Sequence, residues 1–194
     1  MRRSVLAVVA VLVGMTPSVA QDLMDPNPWA DVVDELRFGA HFHDVHHAAL
    51  PFLVQEWRLD KLEDLSFDVL FTSPDLDVFR WVGSPRPEFG TTINFAGRDS
   101  IAHLGLTWQL PVFSTPLYLE GSFGAAVSNG ALENAVNGNK NFGCRVNFYE
   151  RFGVGANVSE TMTATLTYEH TSNNGYCNQN DGLSNFGLRV GWKF

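Results

Sequence analysis

His170 and Ser172 are the two residues whose types and spacing are best suited to a chemical reaction. They lie two positions apart at the end of a segment that alternates apolar and polar residues from Thr161 onward. This spacing places both side chains on one face of a β-strand. A serine hydroxyl within reach of an imidazole can act as a nucleophile, with the imidazole as its general base. The pair therefore indicates hydrolytic chemistry.

The overall composition excludes several classes of protein. The chain has 194 residues, of which 45% are hydrophobic and 18% are charged, and it includes 15 Phe and 5 Trp. Disordered chains combine low hydrophobicity with high charge, so disorder is excluded. The formal net charge of −8 argues against a nucleic-acid-binding protein, which needs clustered Lys and Arg. A membrane-spanning helix needs about 18 continuous apolar residues, and the sequence has no such run.

The first residues have the pattern of a bacterial secretory signal. A charged start with Arg2 and Arg3 precedes an apolar core over residues 5–14, and small residues at Ser18 and Ala20 suit a cleavage site before residue 21. We expect a cleaved signal peptide over residues 1–20 and a β-barrel domain over residues 21–194. A buried N-terminal helix is the alternative. Cleavage removes two Arg and no acid, which changes the formal net charge from −8 to −10.

Period-2 alternation predicts that the mature chain is an all-β protein. Clusters of Gly, Pro, Asn and Asp separate the alternating segments. The predicted strands are 35–43, 64–72, 87–96, 100–110, 116–127, 142–157, 161–172 and 184–194. The seventh is the clearest, because apolar residues from Met162 to Tyr168 occupy one face and Thr residues dominate the other.

One face of these strands is apolar and the other carries charge. The charged faces mix acids and bases that could pair inside a narrow lumen: Glu35, Arg37, Asp68, Glu88, Glu120, Arg145, Arg151, Glu169, Arg189 and Lys193. The apolar faces carry Phe, Trp and Leu side chains that are together too bulky for the interior of an eight-stranded barrel. With export, this predicts an eight-stranded antiparallel transmembrane β-barrel with lipid outside. A soluble sandwich is the alternative.

The final strand gives a second indication of a membrane barrel. Aromatic or aliphatic residues alternate up to Phe194, which resembles the terminal signature of bacterial outer-membrane barrels. We therefore predict location in the bacterial outer membrane, with assembly by the barrel assembly machinery acting on this strand. With the N-terminus in the periplasm, the connections that follow the odd-numbered strands face the cell exterior.

The two cysteines are expected to form a disulfide. Export places Cys144 and Cys177 in an oxidising compartment, where a single pair usually bonds. Their spacing matches no zinc site, and two thiols cannot make one. Cys144 lies near the top of the sixth strand and Cys177 lies in the loop after the seventh, so both belong to the same rim of the predicted barrel.

On the lipid-facing row of the seventh strand, His170 and Ser172 either form a catalytic pair or lie at headgroup level, where polar residues cost little. The segment 170–175 (HTSNNG), followed by 180–183 (NDGL), resembles the active-site strand and loop of the PagL-type lipid A 3-O-deacylases, which are acyloxyacyl hydrolase-like outer-membrane proteins. The resemblance extends to residues 38–44, to residues 119–124 and to the last strand.

This resemblance implies an eight-stranded barrel that hydrolyses the ester of the 3-position hydroxyacyl chain of lipid A. The family uses a Ser–His–Glu triad that faces the bilayer and needs no metal or other cofactor. Carried over, Ser172 is the nucleophile, His170 is the general base and Asn173 helps to form the oxyanion hole. The implied partners are lipid A, as part of lipopolysaccharide, and outer-membrane lipid.

The sequence departs from the family at the acidic member of the triad, because Ser184 occupies that position. A serine can hold an imidazole tautomer through a hydrogen bond but cannot stabilise an imidazolium by charge. Three interpretations follow: slower catalysis, an acid supplied from elsewhere, or a member that has lost the chemistry. The last leads to an alternative function, a catalytically silent small barrel with a structural or surface-interaction role.

Glu150 is the candidate for an acid supplied from elsewhere. It lies on the lipid-facing row of the sixth strand, where a solvated carboxylate is unexpected. Face parity allows Glu150 to oppose Leu166, Tyr168 or His170 across the strand pair, and opposed side chains lie within about 4.5–5.5 Å at their Cβ atoms. We therefore hypothesise that the Glu150 carboxylate orients the His170 ring or stabilises its positive charge, and so replaces the missing acid. The alternatives are an interfacial residue paired with Arg151 or a Lys, or a bulge that shifts the parity of the strand.

A histidine-rich segment superficially resembles a metal site. His41 and His43 share the inward face of the first strand, and His46 and His47 follow in a loop. No Asp, Glu or Cys has a fixed place beside them. Hydrogen bonding inside the barrel is therefore the default interpretation, and no metal site is predicted.

Overall fold

The computed structural model describes residues 32–47, 50–136 and 138–194. The chain from Val33 to Phe194 forms one unit. The predicted signal peptide over residues 1–20 lies outside the described residues, as does the predicted start of the mature chain at residue 21. In the described part of the chain, no helix has the length and apolar character needed to cross a membrane.

Within those residues, eight antiparallel strands close into a barrel. The strands are β1 (Val33–Phe42), β2 (Leu62–Phe71), β3 (Arg86–Asn94), β4 (Ile101–Pro111), β5 (Leu117–Ser128), β6 (Val146–Asn157), β7 (Met162–Ser172) and β8 (Leu183–Lys193). Each strand pairs with its sequence neighbours, and β8 pairs with β1 to close the sheet. A 3-10 helix (Val54–Glu56) and a short helix α1 (Asp77–Trp81) lie in the first two connections. The predicted strands and antiparallel barrel are confirmed.

The sixth strand begins later than predicted, at Val146 rather than residue 142. Gly143 has a φ of +68°, in the left-handed region that interrupts an extended backbone. The amide of Phe142 donates to the carbonyl of Ala131 at 2.8 Å. Residues 142–145 therefore belong to the loop between β5 and β6. Their residue types continue the alternation of β6 toward the N-terminus, although the strand has not yet begun.

Paired charges fill the interior of the barrel. The buried charged residues on the inward faces are Glu35, Arg37, Asp64, Asp68, Glu88, Glu120, Arg151, Glu169 and Arg189. Arg37, for example, lies 3.0 Å from Glu35 and 2.8 Å from Glu120. Buried charges are tolerated only when they are paired and hydrogen-bonded. The polar interior is thus confirmed, and the soluble sandwich, which needs an apolar interior, is excluded.

One of the charges predicted for the interior lies outside it. Arg145 is exposed and donates to the carbonyl of Gly130 at 2.8 Å, because it precedes the start of β6 and belongs to a loop. This prediction was wrong because alternation marks a face of a strand and not the point where the strand begins. Lys193, the last residue of β8, lies on the inward row opposite the buried Glu35, and its Nζ donates to Asn157 at 2.6 Å.

Large apolar side chains cover the outside of the barrel. Phe38, Leu104, Phe123 and Leu166 are each more than half exposed. A soluble protein would bury such residues, whereas a barrel in a bilayer presents them to lipid acyl chains. The apolar band therefore gives the membrane-facing surface that the sequence pattern predicts.

The described residues of the β1–β2 loop, 43–47 and 50–61, fold against the outer wall of β7 and β8. The amide of Val45 donates to the carbonyl of Ser184 at 2.8 Å. The ring of Trp57 stacks on Tyr168 at a centroid distance of 5.4 Å and packs on Phe186 at 4.8 Å. This part of the wall is therefore covered by protein.

Candidate active site

Three neighbouring strands bring the candidate residues to one row on the outer wall. His170 of β7 lies directly opposite Glu150 of β6 and directly opposite Ser184 of β8. Ser172 follows two positions later and lies opposite Phe148. The pairing of Glu150 with His170 is one of the registers that face parity allows, and it places a carboxylate, an imidazole and a hydroxyl side by side.

The His170 imidazole is held by the residue at the position of the family acid. Its Nδ1 lies 2.7 Å from the Ser184 Oγ. The hydroxyl of Tyr168 also hydrogen-bonds the Ser184 side chain. Ser184 is fully buried and His170 is 4% exposed, although both point outward from the barrel. The imidazole thus has a neutral hydrogen-bond partner at Nδ1 in place of a carboxylate.

The other edge of the imidazole borders the same small space as Ser172. A Cβ atom added at Gly182 would lie 3.5 Å from the Nε2 of His170 and 3.7 Å from the Cβ of Ser172. Gly182 also has a φ of +53°, which favours glycine. Any larger residue would fill the gap beside the two groups. Gly182 belongs to the segment 180–183 that resembles the family, but the sequence alone does not reveal its place beside His170.

Ser172 opens onto a groove on the outer wall. The groove has a volume of about 200 Å³, and its lining residues are Phe123, Phe148, Glu150, Ser172 and Asn174. Two aromatic rings from β5 and β6 form its apolar side, while Glu150 shares the polar side with Ser172. An ester whose acyl chain lies along the lipid-facing wall could reach the hydroxyl from this groove.

Glu150 is placed beside the pair without contacting the imidazole. In the part of the chain that the structure describes, no hydrogen bond joins its carboxylate to the His170 ring, and the carboxylate lines the Ser172 groove instead. The two residues are direct cross-strand neighbours, whose Cβ atoms are separated by about 4.5–5.5 Å. The role of Glu150 toward His170 therefore stays a prediction.

Asn173 organises the loop after Ser172. Its Nδ2 donates to the carbonyls of Phe142 and Gln179, each at 2.6 Å. Its Oδ1 accepts from the amide of Gly175 at 2.9 Å, and its own amide donates to the Oδ1 of Asn180 at 2.8 Å. Both side-chain hydrogens are thus engaged, so this conformation leaves the Asn173 side chain no free donor for an oxyanion.

The predicted disulfide is confirmed. Cys144 and Cys177 are bonded, with their Cα atoms 5.9 Å apart. The bond ties the start of β6 to the loop after β7, and the amide of Cys177 donates to the Oδ1 of Asn173 at 3.3 Å. The loop that follows Ser172 is therefore anchored both covalently and through Asn173.

Replacing both cysteines with Ser is expected to loosen this loop. The bond closes a segment with a sequence separation of 33, for which loss of the constraint costs about 3–4 kcal/mol of unfolding free energy. Urea unfolding of the folded barrel measures this change. Treatment of the wild-type protein with a reductant should reproduce the effect. Unchanged stability in the double variant would show that hydrogen bonds alone hold the loop.

The histidines of the first strand and loop are each engaged in local hydrogen bonds. The Nδ1 of His43 lies 3.0 Å from Asp64, the Nε2 of His46 lies 3.2 Å from Glu56, and His47 accepts from Arg58 at 3.1 Å. His41 lies 3.5 Å from the hydroxyl of Thr167. The four rings thus have separate partners and do not converge on one point.

A different set of side chains has the ligand types of a metal site. Asp68, Glu88 and His103 bring ligand atoms within 4.8 Å of one another inside the barrel. Arg151 donates to Glu88 and lies 3.8 Å from Asp68, and Arg189 binds Asp68 at 2.8 Å. Guanidinium groups therefore already neutralise these carboxylates, so the donor set does not suit an additional cation.

Comparison with known proteins supports the family indicated by these residues. The family described as lipid A 3-O-deacylase (PagL) matches residues 73–193, which is more than half of the chain and includes all of the candidate site residues. No curated protein sequence matches the chain.

Two solved structures are similar in fold. One is the crystal structure of the outer membrane enzyme PagL, with 16% identity, coverage of 82% of this chain and 99% of that chain, and a TM-score of 0.56. The other is the N-terminal β-barrel domain of Pseudomonas aeruginosa OprF, with 12% identity, coverage of 84% and 99%, and a TM-score of 0.51. The chain therefore belongs to the lipid A 3-O-deacylase (PagL) family and is a β-barrel of the bacterial outer membrane.

Proposed function

We propose that the protein is a serine esterase that removes the 3-O-linked hydroxyacyl chain of lipid A in the outer membrane. The observation that carries this proposal is the placement of His170. Its Nδ1 is paired with Ser184, and its Nε2 edge borders the same space as Ser172. This orientation on a lipid-facing wall is suited to an ester that belongs to a membrane lipid.

In the proposed reaction, His170 acts through its two nitrogens. The Nδ1–H donates to the Ser184 hydroxyl, which leaves Nε2 to take the proton of Ser172 as its oxygen attacks the ester carbonyl. The resulting imidazolium then protonates the sugar 3-oxygen as the ester C–O bond breaks, so that the sugar leaves as the free alcohol. Water attacks the acyl-enzyme in the same manner and releases a 3-hydroxy fatty acid. The amide of Asn174, which lines the Ser172 groove, is the proposed oxyanion donor, because the side-chain and backbone hydrogens of Asn173 are engaged.

Ser184 makes this version of the triad weaker than one with a carboxylate. A hydroxyl can fix the tautomer of His170, but it carries no charge to stabilise the imidazolium. Replacing the acid of a triad with a neutral group lowers the rate by about 10⁴-fold. We therefore propose that the enzyme is slow for its family, unless Glu150 supplies charge to the imidazole when substrate is bound.

Replacing Glu150 with Gln tests that contribution. If its carboxylate lies close to the imidazolium, the substitution should lower kcat by about 10- to 100-fold, since an opposite charge within about 4–6 Å favours the charged form by about that factor. Kinetics with lipid A in detergent micelles measure the effect. Glu160→Gln is a matched control, because Glu160 is exposed in the turn between β6 and β7. Full activity of Glu150→Gln, alongside loss of activity in Ser172→Ala, would exclude Glu150 as the replacement acid.

Mass spectrometry of lipid A tests the proposed function as a whole. Cells that express the protein should contain lipid A that lacks one hydroxyacyl chain, together with the free 3-hydroxy fatty acid. The second candidate function is the catalytically silent barrel, which is favoured by Ser184 at the acid position. Unmodified lipid A in cells whose outer membrane contains the folded barrel would support that function and contradict deacylation.

We also propose that the barrel assembly machinery recognises β8. Its outward apolar residues are Phe186, Leu188, Val190 and Trp192, and Phe194 continues the same alternation. This alternation gives β8 one apolar face, which the machinery could recognise during insertion. Photocrosslinking from position 192 during assembly would detect contact with the machinery, and its absence there would contradict the proposal.

A further inference from the structure

Three outward-facing residues on β7 and β8 are buried, unlike their neighbours on the lipid-facing wall. Tyr168, His170 and Ser184 are 3%, 4% and 0% exposed, whereas the adjacent Leu166 and Leu188 are about half exposed. The β1–β2 loop contributes to this cover through Trp57 and through the hydrogen bond from Val45 to Ser184. The hydrogen bonds among the three residues are therefore formed in a protein-enclosed environment and not in lipid.

The direction of these hydrogen bonds is set by the chemistry of the imidazole. When His170 accepts the Ser172 proton it becomes an imidazolium, in which both nitrogens are donors and neither can accept. Ser184 must then accept from Nδ1 at 2.7 Å, and its single hydroxyl proton must go to another acceptor. Tyr168 is in hydrogen-bond contact with Ser184, and its hydroxyl oxygen can accept that proton.

The ring of Tyr168 is itself held in place by the β1–β2 loop. Trp57 stacks on it with centroids 5.4 Å apart and planes inclined by 22°. Trp57 also packs on Phe186, which is the residue opposite Tyr168 on β8. The hydroxyl that contacts Ser184 is thus attached to a ring with little freedom to move.

On the basis of the proposed function, we propose that Tyr168 is a positioning residue that accepts the hydroxyl proton of Ser184 and so keeps Ser184 as the acceptor for His170 Nδ1–H. The hydroxyl pair Ser184–Tyr168 then does part of the work of the missing carboxylate. Without the Tyr168 hydroxyl, Ser184 can turn its proton toward Nδ1, which favours the tautomer with the proton on Nε2. That tautomer cannot take a proton from Ser172.

Tyr168→Phe tests the proposal, because it removes one hydroxyl and keeps the ring that packs on Trp57. We expect kcat to fall about tenfold with KM unchanged, since the hydrogen bond matters most when the imidazolium forms. Tyr176→Phe is the matched control, because Tyr176 is 79% exposed and should keep wild-type kcat. An unchanged kcat in Tyr168→Phe would overturn the proposal.

Combination with Ser184→Glu separates positioning from a general structural effect. A carboxylate at position 184 has no proton to place, so Tyr168→Phe should have no effect on kcat in that background. An equal loss in both backgrounds would mean that Tyr168 only supports the fold, and it would contradict the positioning role.

The tautomer of His170 gives a readout that does not depend on turnover. Nitrogen NMR of the labelled barrel in micelles should show the proton on Nδ1 in the wild-type protein and a larger share on Nε2 in Tyr168→Phe. The same tautomer in both proteins would overturn the proposal. If wild-type protein has no esterase activity but the tautomer shifts as expected, deacylation fails while the positioning role of Tyr168 is retained.

Discussion

Ser172→Ala is expected to abolish deacylation of lipid A. Ser172 borders the same space as the Nε2 of His170, and the substitution removes its hydroxyl. Loss of the nucleophile of a catalytic triad lowers kcat by about 10⁶-fold where it has been measured, and residual binding cannot form an acyl-enzyme. Mass spectrometry of lipid A should therefore show only the fully acylated species in cells that express the variant.

A second serine supplies the control for this experiment. Ser159 lies in the turn between β6 and β7, where its hydroxyl accepts from the amide of Met162 at 3.0 Å. Ser159→Ala should keep the wild-type rate, because this turn is about a strand length from Ser172. Because Ala at 172 preserves the strand, both variants should also show the same mobility shift of folded barrels on gels. Continued deacylation by folded Ser172→Ala would show that another residue is the nucleophile.

Arg151→Met is expected to have the largest effect on stability. Arg151 is fully buried, with its Nη1 2.9 Å from Glu88 and its Nη2 3.3 Å from Glu120. Its removal leaves Glu88 without its principal counter-charge inside the barrel, whereas Glu120 keeps Arg37 at 2.8 Å. Breaking a buried ion pair in this manner costs about 3–5 kcal/mol, far more than the pair itself contributes. Urea unfolding in lipid vesicles should show a corresponding decrease in the free energy of unfolding.

An exposed arginine provides the matched comparison. Arg80 pairs with Asp77 at 2.9 Å on α1, and both side chains are largely exposed. Arg80→Met should change the free energy of unfolding by less than about 1 kcal/mol, because water screens exposed pairs. Equal effects of the two substitutions would contradict the view that the interior charges of the barrel are a tightly coupled network.

The strands and their faces could be predicted because both depend on local sequence. A period of two determines which residues share a face, and it correctly assigned Arg37 and Arg151 to the interior and Leu166 to the apolar face, which is the outer wall. The same parity restricted the partners of Glu150 to three residues, one of which is the observed His170. Alternation contains no information on strand ends, and for that reason Arg145 was misplaced.

The detailed arrangement of the candidate site could not be predicted, because it depends on contacts between distant segments. The cover formed by Trp57 brings together residues that are more than a hundred positions apart. The bond between Ser184 and His170 requires the exact pairing of β7 with β8. The hydrogen bonds of Asn173 depend on the fold of its loop, which residue types alone do not specify.

The position of the β1–β2 loop has a consequence for how a lipid meets the protein. This loop occupies the side of His170 toward β8, while the groove with Ser172 opens toward Phe148 and Phe123 on β6 and β5. Lipids diffuse in two dimensions around the barrel, but only those arriving in the β5–β6 sector of its perimeter meet the hydroxyl. Crowding by other proteins against the opposite sector should leave turnover unaffected, whereas a neighbour docked on β5 and β6 should stop it.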